Sequence, residues 1–399
     1  MSVLLRACAC QKRETPSSTS PIMMETPLYR CINSTDFNVY VPWSDNSLIN
    51  GKNNYNCSMA PANSTCHEQA CLAHFRFRPG KKHRLRLMNT GAAALVHFSI
   101  DGHKMEVIAN DFEPLVPYAA DFVTLGVGQR TDVLVTADAD PRATYWMRST
   151  ISLNCSVAHT TVGRAIVSTI SAAAAAADAK SFLCRNDDLA RTVPFFPQPA
   201  DPHPDTVETY TIDLLTNATG NHVWTINNRT QYTDYNNPVL LQAYAQNFTF
   251  PTPPPPGTTA GDPNVYNFGR NRTVRVVLNT VYQSAHPMHL HGHAFQVLAE
   301  GPGPWDGRTV VNPANPLRRD RHMQRRFGHL VLQLAADNPG VWSLHCHIAW
   351  HASMGFTIVL LEQPAELART QVPFVMRETC EGWDRWSKTH VVDQIDAGI

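Results

Sequence analysis

The chain has 399 residues, long enough for two or three domains with cores of their own. Apolar residues make up 43% and charged residues 17%, which excludes an intrinsically disordered chain. Lysine plus arginine and aspartate plus glutamate number 33 each, so no charge excess recommends nucleic acid or an anionic membrane as a partner.

Residues 1–40 read as a divergent, disordered leader. The opening MSVLLRACACQKRE has a short apolar run broken by Arg6, no cleavage site follows it, and TPSSTSP comes next. No stretch approaches the roughly 20 apolar residues of a membrane helix. From Trp43 the texture changes, and residues 41–165 read as one domain. Strands are predicted at 83–89, 97–102, 104–109, 121–127 and 131–137, with NTG, DG and GQR as punctuation, the pattern of a β-sandwich or barrel. Residues 166–205, including the alanine run SAAAAAADAK, read as a linker. A second all-β domain spans 206–365, with ETYTIDL, HVWTINN, NRTVRVVLN, HAFQVLA, HLVLQLA and FTIVLLE as strands. PTPPPPG between them must be a loop, because proline cannot donate to a sheet. Residues 366–399 form a polar tail, with helical turns at AELART and Asp396-Ala397-Gly398-Ile399 at its end.

Ten cysteines and eight N-x-S/T sequons favour an extracellular, secreted protein. Nine of the cysteines lie in turn-rich stretches or near the N-terminus, whereas Cys346 stands between two histidines.

The chemistry is concentrated in two segments, His286-Pro-Met-His289-Leu-His291-Gly-His293 and His345-Cys346-His347-Ile-Ala-Trp-His351. Side chains alternate faces along a strand. His289, His291, His345 and His347 therefore share one side, and Cys346 and His286 the other. His351, one turn beyond its strand, can fold back to join the second set. A thiolate with two imidazoles is the blue-copper arrangement, and four imidazoles behind it suit further copper ions. Zinc also takes Cys and His, but a zinc site leaves those four histidines unexplained. Because His345, Cys346 and His347 are consecutive, an electron entering at the thiolate has a short covalent path to both neighbouring imidazoles. His293 reads as a supporting or packing histidine.

At these residues the chain resembles the multicopper oxidases, most closely the laccases of filamentous ascomycete fungi, over residues 43–399. HPMHLHGHAF and HCHIAWHASMGF are similar to the family's third and fourth copper signatures. SLINGK, VGQRTDV, NPLRRD, ADNPGVWSLHCHIAWH and ETCEGW add to the likeness. The resemblance implies an all-β fold of two cupredoxin-like Greek-key sandwich or barrel domains, the family's second and third. It implies type 1 copper ligands His286, Cys346 and His351, with Phe356 at the axial position. His289 becomes the type 2 ligand, and His291, His345 and His347 the type 3 ligands. His351 is also where electrons enter from the substrate. The axial Phe356 leaves a three-coordinate copper, which favours Cu(I) and raises the potential.

The activity so implied is oxidation of phenolic or aromatic small molecules, one electron at a time, coupled to reduction of molecular oxygen to water. Neither nucleic acid nor a membrane is a partner. The family's first two signatures, HWHG and HSH, do not occur, so the chain is expected to lack the first domain and to supply four of the eight histidines of the oxygen-reducing cluster. A copper-binding form without oxidase activity, keeping only the type 1 site, is the alternative. A metal-oxidising relative would need acidic residues near His351. Relatives carry an acid in the substrate-pocket loop aligned with Gly91 to Ala94, where this chain has Gly-Ala-Ala-Ala, and Asp121 is the alternative carboxylate. The C-terminal Asp-Ala-Gly-Ile resembles a tail that plugs the solvent channel in some relatives. By the same resemblance Cys155 pairs with Cys184, Cys57 with Cys66 or Cys71, and Cys380 with a partner in the first domain.

Overall fold

Alternation of apolar and polar residues decides which face of each strand is inside: Leu85 and Leu87 are buried while Arg84 and Arg86, alternating with them, are exposed. The computed structural model describes residues 2–8, 44, 46–60, 66, 71–168, 184–218, 220–245 and 264–390. Its first half holds β1 (Ser2–Cys8), β2 (Asn46–Ile49), β3 (Ala73–Arg76), β4 (Lys82–Asn89), β5 (Val96–Ile100) and β6 (Met105–Asn110). It continues with β7 (Glu113–Ala120), β8 (Val123–Leu125), β9 (Arg130–Thr136), β10 (Thr144–Ile151) and β11 (Val162–Ser168). The second half has β12 (Thr206–Thr216), β13 (His222–Ile226), β14 (Val265–Gly269), β15 (Thr273–Thr280), β16 (His286–Leu290) and β17 (Phe295–Pro302). It closes with β18 (Leu317–Arg319), β19 (Arg321–Gln324), β20 (Gly328–Ala335), β21 (Gly340–Cys346) and β22 (Thr357–Glu362). Four short helices accompany them: α1 (Val239–Ala245), α2 (Ala349–Ser353), α3 (Pro364–Leu367) and α4 (Phe374–Ser387).

The strands make two sandwiches of one topology. The sheets of the first run β2-β1-β4-β9-β6-β7 and β3-β11-β10-β5-β8. Adding eleven to every strand number gives the second, β13-β12-β15-β20-β17-β18 and β14-β22-β21-β16-β19. The likeness reaches single residues. Both sandwiches share a register shift at matching places, between Val107 and Ala109 and between Val297 and Ala299. Both also follow their second strand with a turn of two residues of positive φ, Asn50-Gly51 after β2 and Asn227-Asn228 after β13, the backbone of a type I′ turn. The fold is thus all-β with two sandwiches, as expected.

Three elements differ from the sequence-based reading. Residues 2–8 belong to no leader: β1 lies between β2 and β4, antiparallel to one and parallel to the other, with Val3 and Leu5 fully buried. The run broken by Arg6 is too short for a signal segment but long enough for a strand. The rest of the expected leader, the alanine run, PTPPPPG and the last four residues lie outside the described residues. The tail holds more helix than AELART promised, because α4 runs for 14 residues and rests Trp383 on Tyr235, donating to Asn236 Oδ1 at 3.0 Å. β7 escaped notice because Pro114 and Pro117 argue against a strand; it lies at a sheet edge, where proline is tolerated. Among the described residues no helix is long and apolar enough to cross a membrane.

Cys57 is bonded to Cys66 and Cys155 to Cys184, while Cys71 and Cys380 are free thiols. Cys155 and Cys184 pack on a small cluster of Leu95, Ala285 and Met323, which draws on both sandwiches. With a separation of 29 residues, the second bond is expected to stabilise the fold by roughly 3–4 kcal/mol on the chain-entropy account. Cys155→Ser with Cys184→Ser should lower the unfolding free energy by that order in a denaturant titration. An unchanged midpoint would contradict it.

Candidate metal centre

β16 and β21 are antiparallel neighbours, with Met288 opposite Cys346 and His289 opposite His345. Alternation then sends His286 and Cys346 to one side and His289 and His345 to the other. His291 and His347 lie just past the strand ends, and α2 brings His351 back beneath Cys346. Gly355 makes that return possible: its φ is +86°, and a β carbon there would collide with Thr230.

Two groups of donors result. In the first, one ligand atom each from His286, Cys346 and His351 lies within 4.8 Å of the others, and all three residues are buried. Cys346 Sγ is 3.8 Å from His286 Nδ1 and 3.5 Å from His351 Nδ1. The Phe356 ring packs at 4.8 Å from that of His286 and 6.3 Å from that of His351. In the second group His289, His291 and His345 meet the same 4.8 Å limit. His291 Nε2 and His345 Nε2 are 3.0 Å apart. His347 stands beside them, its ring 5.8 Å from those of His289 and His345. This group opens outward: His289 is buried, His345 and His347 are half-buried and His291 is exposed.

Carbonyl acceptors fix which nitrogen faces inward. His289 donates through Nδ1 to the Asp320 carbonyl at 2.7 Å, and His345 through Nδ1 to the Cys346 carbonyl at 2.8 Å. The Nε2 lone pairs of both rings are therefore left for a ligand. His286 is fixed the other way, with Ser284 Oγ 3.1 Å from its Nε2 and Nδ1 facing the sulfur.

Burial holds these rings neutral. It takes His286 down to about 3 and His345 to about 4, and it lowers His351 far below the ordinary imidazole value. Burial, with the Arg321 charge second, lowers His289 to about 3. It pushes the Cys346 thiol up, since a lone thiolate in this interior has no compensating charge. Convergent imidazole lone pairs around a buried thiol that ionises only beside a cation are what a soft transition metal requires, so the donors fit copper.

His293 stays outside both groups. It bonds through Nδ1 to the His291 carbonyl at 3.0 Å and through Nε2 to buried Glu362 at 3.2 Å. Asp121 is not brought to either group. It lines a cavity of about 510 Å³ with His97, Phe122, Thr124 and Asp187, and no residue of the two groups lines it. The reason is local: Asp121 precedes β8, whereas the loop that reaches α2 is 91–94, where the Ala92 carbonyl accepts from Ala349 N at 3.0 Å.

The sequence reading passed over Trp224. It is fully buried, with its ring 4.7 Å from His286, 4.7 Å from His351 and 4.9 Å from Phe356, so it roofs the first group. It also passed over Ser284 and Asp320. The only signal in sequence was the place of Trp224 within HVWTINN.

The first sandwich shows what these positions hold without a metal. Met147 lies opposite Ile100 and Arg148 opposite Ser99, as Leu344 lies opposite Leu290 and His345 opposite His289. The registers make Val96 the counterpart of His286, Ser149 of Cys346, Arg148 of His345 and Asp101 of His291. Where two imidazoles meet in the second sandwich, the first has a bidentate ion pair, Arg148 Nε to Asp101 Oδ1 at 2.8 Å and Nη2 to Oδ2 at 2.6 Å. His103 even repeats the bond of His293, to the Asp101 carbonyl at 2.9 Å.

Comparison with known proteins agrees with this geometry. Multicopper oxidase family profiles match residues 28–172 and 232–366. Laccase-3 of Botryotinia fuckeliana is 32% identical over 347 residues, covering 79% of this chain and 71% of that protein. The chain therefore belongs to the multicopper oxidase family, and copper is the cofactor that membership implies. Oxidoreductase OpS5 of Beauveria bassiana (strain ARSEF 2860) is 34% identical over 90% of the chain, which spans 61% of that protein. The crystal structure of the laccase from Botrytis aclada superposes with a TM-score of 0.83 at 27% identity, covering 100% of this chain and 70% of that one.

Removing Arg148 leaves the half-buried Asp101 carboxylate without its guanidinium partner. Arg148→Met is expected to cost about 3–5 kcal/mol. Arg148→Met with Asp101→Leu should recover most of that loss in equilibrium unfolding, and additive losses would show that the two side chains act separately.

Proposed function

We propose that this chain carries the copper-binding part of a laccase-like oxidase, which takes single electrons from phenolic or aromatic small molecules and passes them to molecular oxygen, giving water. The observation that supports it is the placing of two donor groups on opposite faces of β21, joined by the consecutive residues His345, Cys346 and His347. Copper held by His286, Cys346 and His351 would supply one-electron redox chemistry, and copper held by His289, His291, His345 and His347 a place for oxygen reduction.

The chain's own residues fill the remaining roles. Trp224 and Phe356, both fully buried, cover the first group and offer it no lone pair as a further donor. The reducing substrate is placed at the seam where the 91–94 loop meets α2, beside His351. Ala92, Ala93 and Ala94 offer no carboxylate to accept a phenolic proton there, so substrates that lose an electron without a proton acceptor are favoured. The first domain of this reading takes in β1 and runs through β11 to Ser168, past the expected boundary at 165, and the second spans 206–365, with 366–399 after it. Two disulfides and the exposed sequon asparagines Asn56, Asn154 and Asn228 support secretion through an oxidising compartment.

The exposure of His291 favours a second reading for the chain on its own, copper binding without oxygen turnover. We infer that the second group is completed by imidazoles beyond these four. Copper-loaded protein is expected to show intense thiolate-to-copper visible absorption, which Cys346→Ser abolishes because a hydroxyl is a poor soft ligand. Strong colour surviving that substitution would overturn the assignment. The 399-residue chain alone should bind roughly one copper tightly and consume little oxygen with phenols. A supplied domain bearing HWHG and HSH should restore both; full copper loading with turnover by the chain alone would refute the count.

A further inference from the structure

Two motifs of the sequence meet in space beside the second donor group: VGQR, which leads from β8 into β9, and RRD, which joins β18 to β19. Arg130 grips Asp320 with both prongs of its guanidinium, Nη1 to Oδ1 and Nη2 to Oδ2, each at 2.8 Å. Asp111 holds Arg130 in turn, accepting from its backbone N at 2.9 Å and lying 3.3 Å from Nη1. Gln129, fully buried, donates to the Arg321 carbonyl at 3.0 Å. Gly128 has a φ of +79°, and a β carbon there would fall 2.8 Å from His347 Nε2. One turn of the first sandwich thus packs against Asp320, whose carbonyl supports His289, and against His347 itself. The Asp320 carbonyl is the acceptor for His289 Nδ1 at 2.7 Å, and it also takes Leu290 N at 3.2 Å.

We propose that the 127–130 turn is a positioning element for the His289 group, and that Arg130 is the positioning residue, fixing Asp320 so that its carbonyl keeps the proton of His289 on Nδ1. The Nε2 lone pair then faces His291 and His345. Arg130 touches no ligand itself; it acts through Asp320. A lysine keeps the charge but cannot reproduce two parallel bonds from a planar fork, so the geometry is separable from the electrostatics. The inference deepens the copper reading, but the tautomer is a property of the metal-free chain.

The experiment is a long-range proton–nitrogen correlation spectrum of the metal-free full chain labelled with ¹⁵N-histidine, with His289 assigned by its loss in His289→Gln. Wild-type His289 should show a single tautomer protonated at Nδ1. Arg130→Lys should give a mixture of tautomers and weaken Cu²⁺ binding by the His289 group about tenfold, with thermal unfolding close to wild type. The control is Glu113→Gln, which cuts Arg318 Nη2–Glu113 Oε2, a 3.2 Å ion pair across the same seam that does not lead to His289. It should leave the His289 signal unchanged. Wild-type protonation at Nε2, an Arg130→Lys spectrum identical to wild type, or an equal shift in Glu113→Gln would each overturn the proposal. The spectrum is read without metal, so its outcome does not depend on that of the Cys346→Ser absorption test.

Discussion

The site depends on one constraint: consecutive residues of a strand point to opposite faces. β21 is paired on both sides, to β16 and to β22, so it cannot twist to relax that alternation. His345, Cys346 and His347 are therefore held on alternate faces. The thiol is turned into the closed interior with His286 and His351, and the imidazoles toward the half-open group. A slip of one residue in the pairing of β16 with β21 would exchange the faces and scatter both donor sets. The register is guarded by Met288 and Leu290, both buried, opposite Cys346 and Leu344.

The repeated sandwich separates what belongs to the fold from what belongs to the chemistry. His103 and His293 make the same carbonyl bond, although no donor group lies beside His103, so that bond serves the turn after the strand and not a metal. The glycine before each histidine is likewise shared: a β carbon on Gly102 would meet the Tyr145 ring, and one on Gly292 the Trp342 ring. The chemistry lies in exchanges at matched positions, among them His286 for Val96, His289 for Ser99, His291 for Asp101, His345 for Arg148 and Cys346 for Ser149. An ion pair satisfies itself in the interior; the imidazoles share one His291 Nε2–His345 Nε2 contact of 3.0 Å, and the Nδ1–H bond of His345 leaves its Nε2 with a lone pair that a cation could also take. The second sandwich thus holds an arrangement whose favourable state includes a cation.

Much of this was legible in sequence because strand periodicity and ligand spacing are local. The parity of HPMHLH and HCH sorts the donors by spacing alone, and Pro287 does not disturb it. β1 was not legible, since its burial depends on partners about 40 and 80 residues away, at Ile49 and Asn89. β7 was hidden by prolines that only an edge position tolerates. Trp224 reaches the donors across 60 or more residues, Asp320 through a carbonyl and Ser284 through a hydroxyl two residues before His286, and none of these routes leaves a pattern in the chain. The repeat itself was masked because its two copies differ where the chemistry differs, HFSIDGH against HPMHLHGH.

The placement of β1 has a consequence for handling the protein. The strand closest to the N-terminus is an interior strand, with β2 on one side and β4 on the other. If it leaves, the sheet does not merely shorten. It opens in the middle, leaving β4 with a bare row of amides and carbonyls and β2 without its only sheet partner. Val3 and Leu5, now fully buried, would vacate the core at the same time. Such an edge is a template for strands of other molecules. Trimming or obstructing the first eight residues therefore converts a closed sandwich into a self-adhesive one, and poor solubility of N-terminally altered protein would arise there before any donor is lost.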